Sequence, residues 1–309
     1  MVSIKGVRKR VVAGVVSTLT AGLALGAFAF DGTADGATGV EATPGGPRVK
    51  PTVVLEHGAF ADASSWNGVI TRLRADGYPV VAAANPLRGP AVDAAALRTV
   101  LDHIQGPEIL VGHSYGGNVI SEAAAGDPDV KALVYVAAFL PAPGETALEL
   151  TDKFPGSTLS GALDPVAYRQ ADGTTVTDLY IRQDRFRHQF AADVPRGQAA
   201  LMAAGQRPIA QAALAEKATV AAWKTKPSWD IITTGDLNIP AAAQRFMAER
   251  AHAHTTEVAA SHSVAVSHPP LVADVIERAA RATVRWPCPA PRHRTLTGSR
   301  SPVPPRARC

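Results

Sequence analysis

The side chain best suited to nucleophilic chemistry is Ser114, in the octapeptide Leu-Val-Gly-His-Ser-Tyr-Gly-Gly at positions 110–117. The apolar run at 108–111 predicts a buried strand before it, and residues 118–125 can form a helix after it. A serine hydroxyl is a poor nucleophile in water. The spacing Gly-x-Ser-x-Gly permits a tight strand-to-helix turn, which holds the hydroxyl out of the sheet and within reach of a base. The octapeptide therefore predicts a nucleophilic serine.

A base and an acid that could activate this serine follow later in the chain. His262 lies just beyond the last predicted strand, and its Nε2 would take the proton of Ser114 and return it to the leaving group. Asp236 lies one short loop beyond the predicted strand 229–233. Its carboxylate would accept the Nδ1–H of the imidazole and stabilise the imidazolium. Less favoured alternatives are His268, His113 and His57 for the base, and Asp230, Asp152 and Asp164 for the acid.

Acyl transfer also needs two backbone donors where negative charge develops on the carbonyl oxygen. One is the N–H of Tyr115, at the start of the helix after the serine. The other is expected in the loop His57-Gly-Ala-Phe60, after the first predicted strand. Ala59 is the first choice there, and Phe60 is the second.

The elements that must position these residues alternate between strand and helix. Short runs rich in strand-forming residues predict strands at 52–55, 79–82, 108–111, 131–137, 229–233 and 255–259, with helices between them. This alternation predicts an α/β fold with a mostly parallel, doubly wound sheet. The alternation of strands and helices is interrupted over about residues 141–226. We interpret this segment as a helical cap inserted above the carboxyl ends of the strands, where ligands bind. Its best helix candidate is 198–217.

The ends of the chain have a different composition. Residues 1–29 combine a basic start, an apolar stretch and Ala27-Phe28-Ala29, which predicts a secretory signal peptide and therefore a secreted or extracytoplasmic protein. A membrane anchor is the alternative. Residues 30–50 read as a flexible leader, 51–285 as one domain that includes the cap, and 286–309 as a disordered tail rich in Pro and Arg. The tail holds both cysteines, Cys288 and Cys309, whose pairing stays open.

The net charge of +4 does not describe the predicted domain. All 27 acidic residues lie between positions 31 and 284, whereas 10 of the 31 basic residues lie in the first 30 or last 25 positions. The part of the chain between them is therefore acidic. We find no basic face with interleaved aromatic residues there, which excludes a nucleic-acid-binding role.

The segments 57–66, 112–117, 235–240 and Ser261-His262 resemble the α/β-hydrolase superfamily. More narrowly, they resemble its small esterase and hydroxynitrile lyase branch, which includes plant salicylate-binding methylesterases and related bacterial esterases. The resemblance covers about residues 51–284. It implies a nucleophile elbow at Ser114, no cofactor and no metal. The implied roles are a base at His262, an acid at Asp236, and oxyanion donors at Ala59 and Tyr115.

Two positions separate esterases from lyases within this branch. The lyases have a threonine where this chain has Gly58 and a lysine where it has Ser263. We therefore expect a serine esterase that cleaves a small, largely apolar carboxylic ester through an acyl-enzyme. Lyase-like or haloperoxidase-like chemistry, or a non-catalytic ligand-binding role, are the alternatives. The sequence leaves the natural ester and the oligomeric state open. Cap residues available to line a pocket are Phe154, Tyr168, Tyr180, Phe186, Phe190 and Met202.

Overall fold

The computed structural model describes residues 50–284. The predicted signal peptide, nearly all of the leader, the tail and both cysteines lie outside the described residues and stay predictions. Within the described part the strands are β1 (Thr52–Glu56), β2 (Val80–Ala83), β3 (Glu108–His113), β4 (Val130–Val136), β5 (Leu163–Arg169), β6 (Thr175–Ile181), β7 (Ile209–Ala210), β8 (Ser228–Thr233) and β9 (His254–Val258).

Six of these strands form one parallel sheet in the order β2-β1-β3-β4-β8-β9. Every residue of β3 and β8 is buried, as expected of parallel strands covered on both faces. The chain runs from β1 outward to β2 and then turns back to β3, so the direction of winding reverses between β1 and β3. Ligands bind at such a switch point, beyond the carboxyl ends of the strands. The predicted α/β fold class is confirmed.

Helices cover both faces of this sheet. They are α1 (Asn67–Ala75), α2 (Pro90–Leu101), α3 (Gly116–Ala123), α4 (Ala147–Asp152), α5 (Gln183–Phe190), α6 (Arg196–Gly205), α7 (Gln211–Ala215), α8 (Ala241–Arg250), α9 (Val264–Ser267) and α10 (Pro269–Thr283). Apolar residues of α1 and α10 pack on one face of the sheet, while those of α2, α3 and α8 pack on the other, together with the cap. Between residues 50 and 284, no helix has the length and hydropathy needed to cross a membrane.

The cap, residues 141–226, differs from the prediction because it is not purely helical. Strands β5 and β6 form a hairpin, and the short β7 pairs with β6. Most of β5 is exposed, so its sequence lacks the continuous apolar run that marks the buried strands. The hairpin turn includes Gly173, whose φ of +89° suits glycine. The predicted helix 198–217 was also wrong, since β7 separates α6 from α7.

Candidate active site

Ser114 lies in a tight turn between β3 and α3. Its φ is +55°, a left-handed conformation that is uncommon for a residue other than glycine. The flanking positions must be glycine because there is no room for a side chain at either of them. A Cβ on Gly112 would lie 2.6 Å from the carbonyl oxygen of Gly116, and one on Gly116 would lie 2.6 Å from that of Glu56. The turn therefore packs against the end of β1, and Ser114 keeps 7% of its surface exposed.

Ser114, His262 and Asp236 form a continuous hydrogen-bonded series. The Oγ of Ser114 is 2.8 Å from Nε2 of His262, and Nδ1 of His262 is 2.6 Å from Oδ2 of Asp236. Ser114 and His262 are 148 positions apart in the chain. Both His262 and Asp236 are almost fully buried. The three side chains singled out from the sequence therefore lie in the order that proton transfer from the serine requires.

The carboxylate of Asp236 is held in place by four donors. Its Oδ1 accepts the backbone N–H groups of Asn238 at 2.7 Å and Ile239 at 3.0 Å. Its Oδ2 accepts the hydroxyl of Thr233 at 3.0 Å and Nε2 of Gln244 at 3.1 Å. These bonds leave Asp236 one orientation, in which Oδ2 faces the imidazole of His262.

The loop after β1 lies against the serine turn because residue 58 is glycine. A Cβ on Gly58 would lie 2.6 Å from Cβ of Ser114 and 2.7 Å from the carbonyl oxygen of His113. The N–H of Phe60 donates to the carbonyl of Arg207 in the cap at 2.9 Å, so this alternative oxyanion donor is not available. Among the described residues, the N–H groups of Ala59 and Tyr115 have no hydrogen-bond acceptor.

His57 fixes this loop to the next one. Its Nε2 accepts the N–H of Asn85 at 3.1 Å, and Nδ2 of Asn85 donates to the carbonyl of His57 at 2.8 Å. Its Nδ1 lies 2.9 Å from the carbonyl oxygen of Gly58, so the Nδ1–H donates there. Burial lowers the pKa of His57. A neutral His57 that uses both ring nitrogens in this way is a structural residue and not the base.

His113 also has a structural role. Its Nε2 lies 2.9 Å from the carbonyl oxygen of His262, to which the Nε2–H donates. Burial, with a smaller contribution from His262, lowers the pKa of His113 to about 3. His113 is therefore neutral and supports the backbone of the residue that faces Ser114. The third alternative base, His268, has its Nδ1 3.7 Å from Oδ2 of Asp193 in the cap, whereas the histidine bonded to Ser114 is His262.

The alternative acids are placed elsewhere. Asp230 is buried within β8, and burial raises its pKa well above the usual range. Asp152 and Asp164 are exposed side chains of the cap. No group of three or more His, Cys, Asp or Glu side chains within residues 50–284 could hold a metal ion.

Cap residues that the sequence did not single out also reach the site. Asp193 accepts hydrogen bonds from Ser261, the residue before His262. Gln189 donates from Nε2 to the carbonyl of Leu237 at 2.7 Å and to Oδ1 of Asn238 at 3.0 Å, in the loop that carries Asp236. No local motif marks either cap residue, because each acts through a contact with a distant part of the chain.

Two of the six aromatic and methionine residues considered for a substrate pocket lie at the site itself. The ring centroid of Phe190 is 4.9 Å from that of His262, and Phe186 packs on Phe190 at 5.0 Å. Both phenylalanines are almost fully buried. They therefore belong to the hydrophobic core of the cap and support His262 from that side. Of the other four, Phe154 packs on Phe246, and Tyr168 accepts a hydrogen bond from Arg88.

The doubly wound sheet, the inserted cap and the serine turn after β3 define the α/β-hydrolase class. The chain belongs to the alpha/beta hydrolase family, whose model matches residues 53–275.

Known proteins of this class are similar to the chain over most of their length. An alpha/beta hydrolase of Aspergillus novofumigatus, nvfD, is 26% identical over 259 residues, which is 75% of this chain and 97% of that protein. The crystal structure of a pyrethroid hydrolase from Sphingobium faniae is 26% identical and superimposes with a TM-score of 0.60, over 75% of this chain and 98% of that one.

The structure of a methylesterase from Arabidopsis is 20% identical and superimposes with a TM-score of 0.63, over 75% of this chain and 99% of that chain. At this identity the likeness concerns the fold. The resemblance to the esterase branch of the α/β-hydrolases is confirmed by these matches.

Proposed function

We propose that the protein is a serine esterase that hydrolyses small, largely apolar carboxylic esters through an acyl-enzyme. The observation that carries this proposal is the hydrogen-bonded series Ser114–His262–Asp236. A buried serine hydroxyl that faces an imidazole, itself held by a carboxylate, is an activated nucleophile.

In the first half of the reaction, Oγ of Ser114 attacks the ester carbonyl while Nε2 of His262 takes the hydroxyl proton. The negative charge on the carbonyl oxygen is stabilised by the N–H groups of Ala59 and Tyr115. The C–O bond to the alcohol then breaks, and His262 gives its proton to the leaving oxygen. Asp236 stabilises the imidazolium formed between these steps. The products are the free alcohol and an ester of Ser114.

In the second half, His262 takes a proton from water, and the resulting hydroxide attacks the acyl group on Ser114. The same two N–H groups stabilise the second oxyanion. The bond to Oγ then breaks, the proton returns to Ser114, and the carboxylic acid leaves. No cofactor is required by any step.

Positions 58 and 263 support hydrolysis over lyase chemistry. A threonine in place of Gly58 would collide with Ser114, since even a Cβ there would lie 2.6 Å from the serine Cβ. The hydroxyl of Ser263 donates to the carbonyl of Phe190 at 2.8 Å, so it is engaged with the cap. The similar protein named pyrethroid hydrolase also favours an ester as substrate.

The proposal is tested with a panel of 4-nitrophenyl esters and with Ser114→Ala. We expect the wild type to release nitrophenol and Ser114→Ala to lose at least about 10³-fold in kcat/KM with an unchanged melting temperature. Ser65→Ala is the matched control, because among the described residues only the backbone N–H of Ser65 forms a hydrogen bond, to the carbonyl of Asp62, and its hydroxyl forms none. Full activity in Ser114→Ala would reject the proposal. Cyanide release from cyanohydrins, without ester hydrolysis, would favour the lyase instead.

A further inference from the structure

Tyr115 has a buried hydroxyl that takes no part in the proposed reaction, which uses only the backbone N–H of this residue. The side chain is 1% exposed, and its hydroxyl donates to Oδ2 of Asp93 at 2.8 Å. Asp93 lies in the first turn of α2 and is fully buried. This hydrogen bond therefore joins the turn that carries Ser114 to the helix beside it.

Asp93 is fixed to the backbone of the loop before α2. The N–H of Arg88 donates to its Oδ1 at 3.0 Å and to its Oδ2 at 3.1 Å, and the N–H of Gly89 donates to Oδ2 at 3.3 Å. These bonds hold the carboxylate with Oδ2 toward the hydroxyl of Tyr115. The side chain of Asp93 can therefore act as an anchor.

The cap holds the same loop from its other side. The guanidinium of Arg88 donates to Oδ1 of Asp178, in β6, at 2.8 Å. The N–H of Ala210, in β7, donates to the carbonyl of Leu87 at 3.0 Å. The loop before α2 is thus bonded to two strands of the cap, so the anchor is fixed at the end that lies away from the reaction.

The serine turn needs such an anchor because its backbone is strained. Ser114 has a φ of +55°, and conformations of this kind persist only where the surrounding structure holds them. The close approach of Gly58 and Gly116 to their neighbours holds the turn from β1 and the loop after it. The hydroxyl of Tyr115 holds it from α2. Because Tyr115 directly follows Ser114, any relaxation of the turn moves its N–H away from the place where the oxyanion forms.

We propose that Asp93 is a positioning residue, which sets the place of the Tyr115 N–H in the oxyanion hole through the hydroxyl of Tyr115. This inference rests on the proposed esterase function. Asp93 acts on the reaction only through Tyr115. Loss of the bond between them should weaken binding of the transition state more than binding of the ester, because the negative charge develops only in the transition state.

The test compares Tyr115→Phe with Tyr135→Phe. The control is closely matched, because Tyr135 is also fully buried and its hydroxyl lies 2.7 Å from that of Ser121, in α3. We expect Tyr115→Phe to lower kcat for a 4-nitrophenyl ester by about tenfold, less than the loss of a whole oxyanion donor, with little change in KM. Tyr135→Phe should keep the kcat of the wild type, although both variants should melt at a lower temperature.

Binding of butylboronic acid separates positioning from a merely structural role. Its boron forms a tetrahedral adduct with the hydroxyl of Ser114, and one boronate oxygen then occupies the place of the oxyanion. The inhibition constant should rise by about tenfold in Tyr115→Phe, in parallel with the fall in kcat, and stay unchanged in Tyr135→Phe. Wild-type kcat and wild-type boronate binding in Tyr115→Phe would overturn the inference, and so would equal losses in both variants.

Asp93→Asn tests the anchor from its other end. The amide has one acceptor oxygen where the carboxylate has two, so the bonds to Tyr115 and to the loop cannot all be kept. We expect a lower kcat, and the double variant with Tyr115→Phe should lose no more than the more affected single variant, since both changes break one hydrogen bond. Losses that multiply in the double variant would overturn the inference. Tyr115→Phe leaves Asp93 and its loop in place, so the test stands even if Asp93→Asn does not fold.

These outcomes are distinguishable from failure of the esterase proposal. If the wild type hydrolyses no ester, the rate at which paraoxon phosphorylates Ser114, measured by release of one equivalent of 4-nitrophenol, replaces kcat. The phosphoryl oxygen then takes the place of the oxyanion. Tyr115→Phe should react about tenfold more slowly than the wild type and Tyr135→Phe equally fast. Equal rates in all three proteins, or a wild type that does not react, would overturn the inference in that case.

Discussion

The carboxylate of Asp193, in the cap, accepts two hydrogen bonds from Ser261, the residue directly before His262. One comes from the backbone N–H of Ser261 at 3.1 Å, and the other comes from its hydroxyl. Burial of Asp193 opposes its ionisation, but the hydrogen bonds from Ser261 outweigh this effect and lower its pKa. The backbone that carries His262 is thus held from the cap side by an ionised carboxylate.

Replacement of Asp193 by Asn should impair catalysis through the position of His262. An amide offers one oxygen where the carboxylate offers two, so one bond to Ser261 is lost and its donor is left unpaired. We expect a fall of about tenfold in kcat with a smaller change in KM, and a loss of about 1–3 kcal/mol in the free energy of unfolding. Steady-state kinetics and urea denaturation measure the two effects. Asp184→Asn, exposed on α5 of the same cap, should behave as wild type.

Replacement of Asp236 by Asn should reduce kcat by about 10⁴-fold, the effect seen when the acid of a Ser-His-Asp triad is converted to its amide. The NH₂ group cannot accept the Nδ1–H of His262, so the imidazole no longer presents a basic Nε2 to Ser114. Hydrolysis of a 4-nitrophenyl ester provides the assay. Asp152→Asn and Asp164→Asn remove the two cap carboxylates that the sequence offered as alternatives. A loss of activity in either of these variants, with full activity in Asp236→Asn, would show that Asp236 is not the acid.

Replacement of Gly58 by Ala should reduce both activity and stability. The new Cβ would lie within 2.7 Å of Ser114 Cβ and of a backbone oxygen, so the loop carrying Ala59 must move away from the serine. We expect at least a tenfold loss of kcat/KM and a lower melting temperature. Gly197→Ala, in α6, is the control because its added Cβ would have no atom within 4 Å apart from its chain neighbours and the backbone of its own helix. A fully active Gly58→Ala variant would show that the loop contact is unimportant.

Glu56 should make the protein less stable at alkaline pH. Its side chain is almost fully buried at the end of β1, and burial, with a smaller contribution from Asp93, raises its pKa from 4.5 to about 8. Between these values the folded state holds a proton that the unfolded state has lost, so the free energy of unfolding falls as pH rises through this window and levels off above about pH 8.

Glu56→Gln removes this titration. The variant should match the wild type near pH 4.5 and exceed its free energy of unfolding at pH 8 and above by roughly 3–5 kcal/mol. Urea denaturation at several pH values between 5 and 9 measures the difference. A constant difference across that range would show that Glu56 does not titrate within it.

Much of the fold is predictable from the sequence because its strands are buried on both faces. The runs that became β1, β3, β4 and β8 are short and mostly apolar, and their alternation with helices predicted the parallel sheet. The cap was less predictable. The exposed strand β5 has no such run, and its pairing with β6 depends on a hairpin whose packing partners lie elsewhere in the chain.

The sequence by itself determined the element types of the sheet and the candidate nucleophile, because a buried strand, two glycines and a serine act within one short segment. Only the tertiary structure decided which histidine faces Ser114, which carboxylate faces that histidine, and that the N–H of Phe60 is bonded to Arg207. Each of these depends on contacts between segments distant in the chain, and such contacts follow from packing of the whole domain and not from local spacing.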